Sequence, residues 1–301
     1  MKQTVWCQWD DITLPAGWTI TNADLDAMSP EQLAQISIYV PRYMAGVKAL
    51  SYMEKMPNLR LLQLLMAGYD DAIAFMKDGQ KLCNARGVHD FSTSELAISM
   101  ILAHFKNHAE FARYQAQGSW HHKTAGSLYG KRIAIVGAGS IGSKLAAMLT
   151  IFETQVDLFA SYARENIKDM DQLSKDAHLY DCIVLVVPLT DKTRNLVDKK
   201  ILGSMKDGAL IVNVARGPVI NTQDLMDELS KGRISAALDV TDPEPLPNNH
   251  PLWSMPNCQI IPHVGGDSEA FEPQARKYLE QQFSEIAQGL PLHNEIDWKN
   301  S

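Results

Sequence analysis

The sequence predicts an α/β protein in which a doubly wound parallel sheet is joined to a second, smaller α/β domain. Short, strongly apolar segments alternate with segments whose apolar residues recur at helical spacing. Strands that are apolar on both faces are typical of parallel sheets covered by helices. The chain has 301 residues, of which 46% are hydrophobic, and this length favours two domains over one.

The N-terminal part predicts the smaller domain. Its four strand candidates are separated by polar or helical segments and lie at residues 4–7, 36–40, 61–65 and 81–83. A helical pattern then runs from 95 to 115. Residues 117–130 are rich in Gly, Ser and His, and they predict an exposed arm or linker.

A second series of strands predicts the larger sheet. These strands lie at residues 132–136, 155–159, 182–187, 210–214, 234–238 and 259–261. Segments 141–149 and 222–231 supply crossover helices. A last helix near 270–288 is expected to return and pack on the N-terminal part.

A glycine-rich turn indicates what the larger domain binds. Gly137, Gly139 and Gly142 follow the strand 132–136 and open the helix that begins with Ser140 and Ile141. The first glycine permits the tight turn, the second lets backbone N–H groups approach a pyrophosphate, and the third allows close packing of helix on strand. We therefore predict a Rossmann-type dinucleotide-binding domain at 97–270. A smaller α/β domain is predicted at 1–96, completed by the C-terminal helix at 271–301.

Composition excludes several other classes of protein. The net charge of −7 argues against nucleic acid as a partner. The chain lacks an unbroken apolar stretch of ~20 residues and an apolar export segment at its start, so no membrane contact is expected. The four cysteines are scattered, without CxxC or histidine at metal-ligand spacing. We expect no metal site and a reducing, cytoplasmic location.

Three chemically distinct side chains follow strands of the larger sheet. Arg216 comes after the strand at 210–214, Glu244 after 234–238, and His263 after 259–261. Carboxyl ends of parallel strands share one rim, where open α/β sheets bind ligands. Taken singly, the three residues also fit a surface salt bridge, a solvated loop acid and a strand-end histidine. Together they predict a hydride-transfer site.

Nine segments of the chain resemble the D-isomer-specific 2-hydroxyacid dehydrogenase family, over nearly its full length. They read MAGYD (66–70), GKRIAIVGAGSIG (130–142), VPLT (187–190), MKDGA (205–209), NVARG (213–217), ALDV (237–240), PEPLP (243–247), HPLW (250–253) and PHVGG (262–266). The resemblance implies two domains with a cleft between them, of which the domain at 1–96 is flavodoxin-like and binds the substrate. It also implies a nicotinamide cofactor and a homodimer joined through the cofactor domains.

The resemblance also implies roles for individual residues. Arg216, Glu244 and His263 would be catalytic, with Arg216 and His263 also binding the substrate. Backbone N–H groups of Ala67 and Gly68 would hold the substrate carboxylate. The remaining residues expected to contact the cofactor are Val187, Pro188, Val214, Ala215, Gly265 and Asp239, of which Asp239 would orient the nicotinamide carboxamide.

The end of the second strand of this sheet departs from the pattern of NAD-linked relatives. Those proteins carry an acid for the ribose hydroxyls where this chain has Ala160. Asp157 lies three residues earlier and, by strand alternation, faces away. Ser161 and Arg164 supply a hydroxyl and a guanidinium suited to a 2′-phosphate. We therefore predict NADP(H) as the preferred cofactor, with NAD(H) possible. The family often has His-Cys before Pro-Leu-Thr, where this chain has two valines, the second of which is Val187. This position lies beside the cofactor in the family, and the valines would form an apolar wall there.

The predicted reaction is reduction of a small 2-oxoacid, of the glyoxylate or hydroxypyruvate type, to the D-2-hydroxyacid. One alternative is an NAD-linked D-2-hydroxyacid or phosphoglycerate dehydrogenase. Another is a nucleotide-sensing, corepressor-like binding protein, which would keep the cofactor site without turnover. Glu244 counts against a formate dehydrogenase, whose pattern has glutamine there.

Overall fold

The computed structural model describes residues 2–299. In chain order, the strands of this part are β1 (Thr4–Cys7), β2 (Thr19–Thr21), β3 (Ile38–Val40), β4 (Leu61–Gln63), β5 (Lys81–Cys83), β6 (Arg132–Val136), β7 (Gln155–Phe159), β8 (Ile167–Lys168), β9 (Cys182–Leu185), β10 (Leu210–Asn213), β11 (Ser235–Leu238), β12 (Cys258–Ile260) and β13 (Glu295–Ile296). The α-helices are α1 (Pro30–Leu33), α2 (Gly46–Ser51), α3 (Asp90–Phe105), α4 (His108–Ala116), α5 (Ser140–Thr150), α6 (Met170–Asp176), α7 (Lys199–Ser204), α8 (Thr222–Ser230) and α9 (Phe271–Ala287). Short 3₁₀ helices lie at Tyr52–Lys55, Asp70–Phe75, Ala177–Leu179, Gly217–Val219 and Pro251–Ser254.

The described chain divides into two compact units. The first comprises the chain up to His89 and from Glu269 onward, and the second comprises Asp90–Ser268. These divisions differ from the predicted boundaries at 96/97 and 270/271. Helix α3 begins at Asp90 and packs on α5, so its whole length belongs to the second unit.

The sheet of the first unit has the strand order β2-β1-β3-β4-β5-β13. The first five strands are parallel, and β13 is antiparallel to β5. An order of 2-1-3-4-5 is that of the flavodoxin-like fold, as predicted. Apolar residues of α9, including Ala275, Leu279 and Phe283, pack in one core with Val5 and Ile38. The last helix therefore does return to the N-terminal strands.

The sheet of the second unit has the order β8-β7-β6-β9-β10-β11-β12, and its strands are parallel. A separate apolar core covers each face, because alternate residues of β6 and β9 enter opposite clusters. The order reverses between β6 and β9, which is the switch point where such sheets bind ligands. The predicted doubly wound fold is confirmed.

Some predicted elements differ in detail. The single helix predicted at 95–115 is two helices, α3 and α4, separated by Asn107 in the left-handed region with φ 55°. The strand predicted at 182–187 ends at Leu185, and the carbonyl of the next residue, Val186, packs against Gly137 of the glycine turn. Residues 117–130 form neither helix nor strand and are mostly exposed, as predicted. None of the helices described is long and apolar enough to cross a membrane.

Candidate active site

The three glycines after β6 differ in what surrounds them. A Cβ at Gly137 would lie 2.6 Å from the carbonyl oxygen of Val186, and Gly137 has φ 120°, which favours glycine. A Cβ at Gly142 would lie 1.8 Å from the Gly137 carbonyl oxygen. Both glycines are therefore required by packing within the protein.

Gly139 has a different reason to be glycine. A Cβ at this position would meet no protein atom within 4 Å, and the backbone is extended with φ −84°. Gly139 is the N-cap of α5, and its open side leaves the first N–H groups of that helix accessible. These residues fit a pyrophosphate, because the helix end attracts negative charge and the missing side chain leaves room for it.

The first turn of α5 is tied to the start of α3. Ser140 Oγ donates a hydrogen bond to Asp90 Oδ1 at 2.9 Å, and Ser94 Oγ donates to the Ile141 carbonyl at 3.4 Å. Asp90 did not figure in the sequence prediction, since nothing in its local pattern indicates a partner fifty positions away. The Ser140 hydroxyl is thereby held in one orientation beside the glycine turn.

The segment after β7 carries the residues predicted to set cofactor preference. Ala160 directly follows the strand, and its N–H donates to the Lys168 carbonyl at 2.9 Å. Ser161 and Arg164 follow on an exposed turn, which is closed by backbone hydrogen bonds between Arg164 and Ile167.

The carboxylate of Asp157 binds two side chains of its own domain. Tyr180 donates its phenol hydrogen to Asp157 Oδ2 at 2.7 Å, and Lys168 Nζ lies 3.0 Å from the same oxygen. This carboxylate therefore serves a local ion-pair cluster, in keeping with the prediction that it faces away from Ala160.

Arg216 is positioned by the residue that ends β10. Asn213 is buried, accepts a hydrogen bond from Ala215 N–H at 3.0 Å, and donates one to the Arg216 carbonyl at 2.9 Å. A Cβ at Gly217 would lie 1.9 Å from the carbonyl oxygen of Thr241, so the Arg216 turn packs directly against the segment that leads to Glu244. Asn213 and Gly217 stand in the quoted motif, but their local pattern does not indicate these roles.

Glu244 and His263 form a hydrogen-bonded pair. His263 Nδ1 and Glu244 Oε1 are 2.5 Å apart, which is the distance of a short charge-assisted bond. The hydrogen bond to Glu244 raises the pKa of His263 above its ordinary value, against the effect of burial and of the Arg216 charge. Burial works against ionisation of Glu244, but the hydrogen bond from His263 and the positive charges of His263 and Arg216 outweigh it and lower the pKa of the carboxyl. The pair therefore favours imidazolium with carboxylate.

Asp239 holds the loop that carries His263. Its carbonyl accepts from His263 N–H at 2.8 Å, and its carboxylate oxygens accept from Val264 N–H at 2.8 Å and Gly265 N–H at 3.1 Å. Burial raises the pKa of Asp239, although these two N–H bonds oppose the shift. His263 has φ 54°, a left-handed conformation that non-glycine residues rarely adopt and that surrounding contacts must maintain. The predicted contact of Asp239 with a carboxamide remains a prediction.

The other predicted cofactor residues lie after the central strands of the same sheet. Val187 and Pro188 follow β9, and Val187 packs partly buried against the core. Val214 and Ala215 follow β10 and are buried. The four residues therefore stand at the carboxyl ends, beside the switch point.

Ala67 and Gly68 belong to the first unit. They lie on the irregular segment between β4 and the 3₁₀ helix Asp70–Phe75, and both are partly exposed. Neither N–H group donates to an acceptor within residues 2–299. These two donors are free to bind a ligand anion.

A glycine turn at the switch point, together with an arginine and an acid–base pair beyond neighbouring strands, defines a class of enzyme. Such a site belongs to an oxidoreductase that uses a nicotinamide dinucleotide.

Comparison with known proteins gives the family. Residues 98–265 match the model of the D-isomer specific 2-hydroxyacid dehydrogenase NAD binding domain. An uncharacterized protein in the proB 3′ region of Corynebacterium melassecola is 32% identical over 303 residues, covering 95% of this chain and 97% of that protein. The glyoxylate reductase/hydroxypyruvate reductase of Mus musculus is 34% identical over 222 residues, covering 69% of this chain and 68% of the mouse protein.

Solved structures agree with these matches. A D-isomer specific 2-hydroxyacid dehydrogenase family protein from Aeromonas salmonicida superposes with a TM-score of 0.85 at 25% identity, covering 99% of both chains. The chain belongs to the D-isomer-specific 2-hydroxyacid dehydrogenase family, and it is an NAD(P)-dependent enzyme of that family.

Proposed function

We propose that this enzyme reduces a small 2-oxoacid, of the glyoxylate or hydroxypyruvate type, to the D-2-hydroxyacid and prefers NADPH to NADH. The observation that carries the proposal is the 2.5 Å pair of His263 and Glu244, which lies within the electrostatic influence of Arg216. When bound, the nicotinamide cofactor supplies the hydride. The residues of the chain must then deliver a proton and stabilise the negative charge on oxygen.

His263 is the proposed proton donor. Glu244 holds its Nδ1, so Nε2 is left to donate to the carbonyl oxygen of the substrate. The raised pKa of His263 extends the protonated imidazolium, which is the state that reduction needs, to higher pH than in an ordinary histidine. In the reverse direction the neutral imidazole accepts the proton of the hydroxyl group.

Arg216 is the proposed electrostatic partner of the substrate. Its guanidinium would pair with the substrate carboxylate and polarise the carbonyl. The N–H groups of Ala67 and Gly68 would bind the same carboxylate. A 2-oxoacid carries the carboxylate that Arg216 would bind next to the carbonyl that it would polarise.

The preference for NADPH rests on the segment after β7. Ala160 places no negative charge at the strand end, and Asp157 is committed to Tyr180 and Lys168. The exposed side chains of Ser161 and Arg164 supply a donor and a positive charge for a 2′-phosphate.

The size of the substrate is proposed by analogy with relatives. The mouse relative is named for glyoxylate and hydroxypyruvate, and it is 34% identical over 69% of this chain. We extend that substrate class to this enzyme.

The test is a panel of 2-oxoacids assayed with both reduced cofactors by the loss of absorbance at 340 nm. We expect turnover of glyoxylate and hydroxypyruvate, with a higher kcat/KM for NADPH than for NADH. A higher value with NADH would contradict the cofactor assignment. An enzyme that binds nucleotide but turns over none of the acids would support the alternative of a nucleotide-sensing binding protein.

We also propose that the enzyme is a cytoplasmic homodimer joined through the second unit. Large apolar side chains of that unit are unusually exposed, including Trp120 at 93%, Ile151 at 81% and Tyr129 at 71%. The four cysteines are free, as suits a reducing compartment. Light scattering should give twice the chain mass for the native enzyme and a lower mass for Trp120→Asp.

A further inference from the structure

We propose that Asn84 is a positioning residue that aims the N–H groups of Ala67 and Gly68 at the substrate carboxylate. This inference rests on the proposed function, which makes those two N–H groups the carboxylate donors. Asn84 directly follows β5 and is only 5% exposed. Its role emerges from the hydrogen bonds of the segment that follows β4.

Four consecutive carbonyl groups of that segment are held by hydrogen bonds. The donors are Gln63 Nε2 to the Leu64 carbonyl at 2.9 Å, His89 Nε2 to Leu65 at 2.8 Å, Ala85 N–H to Met66 at 2.9 Å, and Asn84 Nδ2 to Ala67 at 2.7 Å. An irregular segment whose carbonyls are all bound in this way has a fixed backbone. The last of these bonds is the shortest, and a side chain makes it.

A hydrogen bond that fixes a backbone carbonyl also fixes the direction of the N–H group of the next residue. In a planar trans peptide the C=O and the N–H of the next residue point in opposite directions. The bond from Ala85 N–H to the Met66 carbonyl therefore sets the direction of the Ala67 N–H. The bond from Asn84 to the Ala67 carbonyl sets the direction of the Gly68 N–H in the same way. Both N–H groups lack an acceptor in the described part of the chain, and both residues are partly exposed.

Asn84 is itself fixed by its neighbours. Its Oδ1 accepts from Arg86 N–H at 3.2 Å, and its carbonyl accepts from the Tyr278 hydroxyl at 2.8 Å and from Gln63 Nε2 at 3.3 Å. Gln282 of α9 donates in turn to Gln63 Oε1 at 3.0 Å. Buried polar networks whose members all have partners hold one geometry. A side-chain amide is required at position 84, because it donates to one backbone group while it accepts from another.

The test is the substitution Asn84→Asp, which keeps the shape and the acceptor for Arg86 N–H but replaces the donor with an oxygen. That oxygen repels the Ala67 carbonyl, so the peptide turns and the Gly68 N–H leaves its direction. Hydrogen bonds to charged groups are worth about 1.5–3 kcal/mol, so the KM for glyoxylate or hydroxypyruvate should rise on the order of 10–100-fold. The KM for NADPH should stay unchanged.

Asn58→Asp is the matched control. Asn58 Nδ2 also donates to a backbone carbonyl, that of Ala34 at 2.8 Å, but this bond holds no carbonyl of residues 64–67. This variant should keep both KM values. If Asn84→Asp does not fold, Asn84→Ser serves instead, because its hydroxyl is too short to reach the Ala67 carbonyl.

The outcomes separate this inference from the proposed function. If the wild-type enzyme reduces 2-oxoacids, and Asn84→Asp and Asn84→Ser both keep its KM for these acids, the role of Asn84 is overturned and the proposed function stands. An equal rise in both KM values would also overturn it, since it would indicate general loss of structure. A wild-type enzyme inactive toward every 2-oxoacid would overturn the proposed function, and this inference with it.

Discussion

Replacing Glu244 with Gln should move the alkaline limb of the pH–rate profile for reduction toward acid. Gln keeps an amide oxygen that accepts from His263 Nδ1, so the ring keeps its orientation while the negative charge is lost. The bond being changed is 2.5 Å long and charge-assisted, a type worth about 1.5–3 kcal/mol. The two side chains are 31% and 39% exposed, so solvent screening places the effect near the lower end, about 1.5 kcal/mol.

That energy corresponds to about one unit of pKa. Reduction needs the imidazolium of His263, whose pKa is raised in the native enzyme, so activity is lost as pH rises through that value. Glu244→Gln lowers the pKa, and the loss should therefore begin about one pH unit earlier. The assay is kcat/KM for the 2-oxoacid across pH at saturating NADPH.

Glu153→Gln is the control for the change in net charge. Glu153 is exposed and precedes β7, at the amino ends of the strands, whereas His263 lies beyond the carboxyl ends. This control should leave the profile in place. An alkaline limb that is equally unmoved in Glu244→Gln would refute the coupling of the carboxylate to the proton donor.

Three further predictions concern proton transfer, cofactor preference and the glycine turn. His263→Ala should lower kcat by ~10²–10⁴-fold without changing the Kd of NADPH measured by fluorescence, and retention of more than a tenth of kcat would rule out its role. Arg164→Ala should raise the KM for NADPH on the order of 10–100-fold and leave that for NADH little changed, whereas Ala160→Asp should reverse the preference in kcat/KM. Gly139→Ala should keep the Tm but weaken NADPH binding, because its Cβ enters only the space left for phosphate. Gly142→Ala should instead destabilise the fold by about 1–3 kcal/mol in denaturant unfolding, since its Cβ would overlap the Gly137 carbonyl. Unchanged stability of Gly142→Ala, or unchanged NADPH affinity of Gly139→Ala, would contradict these roles.

Buried strands were the part of the fold that the sequence predicted best. The bounds of β1, β5, β6 and β7 match the predictions, because a short apolar run between polar residues is typical of a strand in a covered sheet. Strands β2, β8 and β13 have only two or three residues, and helices α1 and α7 have four and six. These three strands lie at sheet edges and have no fully buried residue, so they lack the apolar run that predicts a covered strand. Helices of four and six residues are too short to show a helical periodicity.

The candidate site shows the same division between local and long-range information. Strand ends predicted that Arg216, Glu244 and His263 belong to one rim, since parallel topology alone brings such positions together. The hydrogen bond between Glu244 and His263 joins positions nineteen apart on different loops, and sequence spacing carries no distance of that kind. Asn213 and Asn84 act on backbone carbonyls through tertiary geometry, so their residue types alone gave no signal.

Chiral analysis of the product formed from hydroxypyruvate and NADPH tests the central claim most directly. The carbonyl must accept the hydride on one face while His263 protonates its oxygen, with the carboxylate held in one orientation. We predict the D-isomer of the 2-hydroxyacid, formed in an amount equal to the NADPH consumed. Formation of the L-isomer, a racemic product, or no consumption of NADPH would contradict the account.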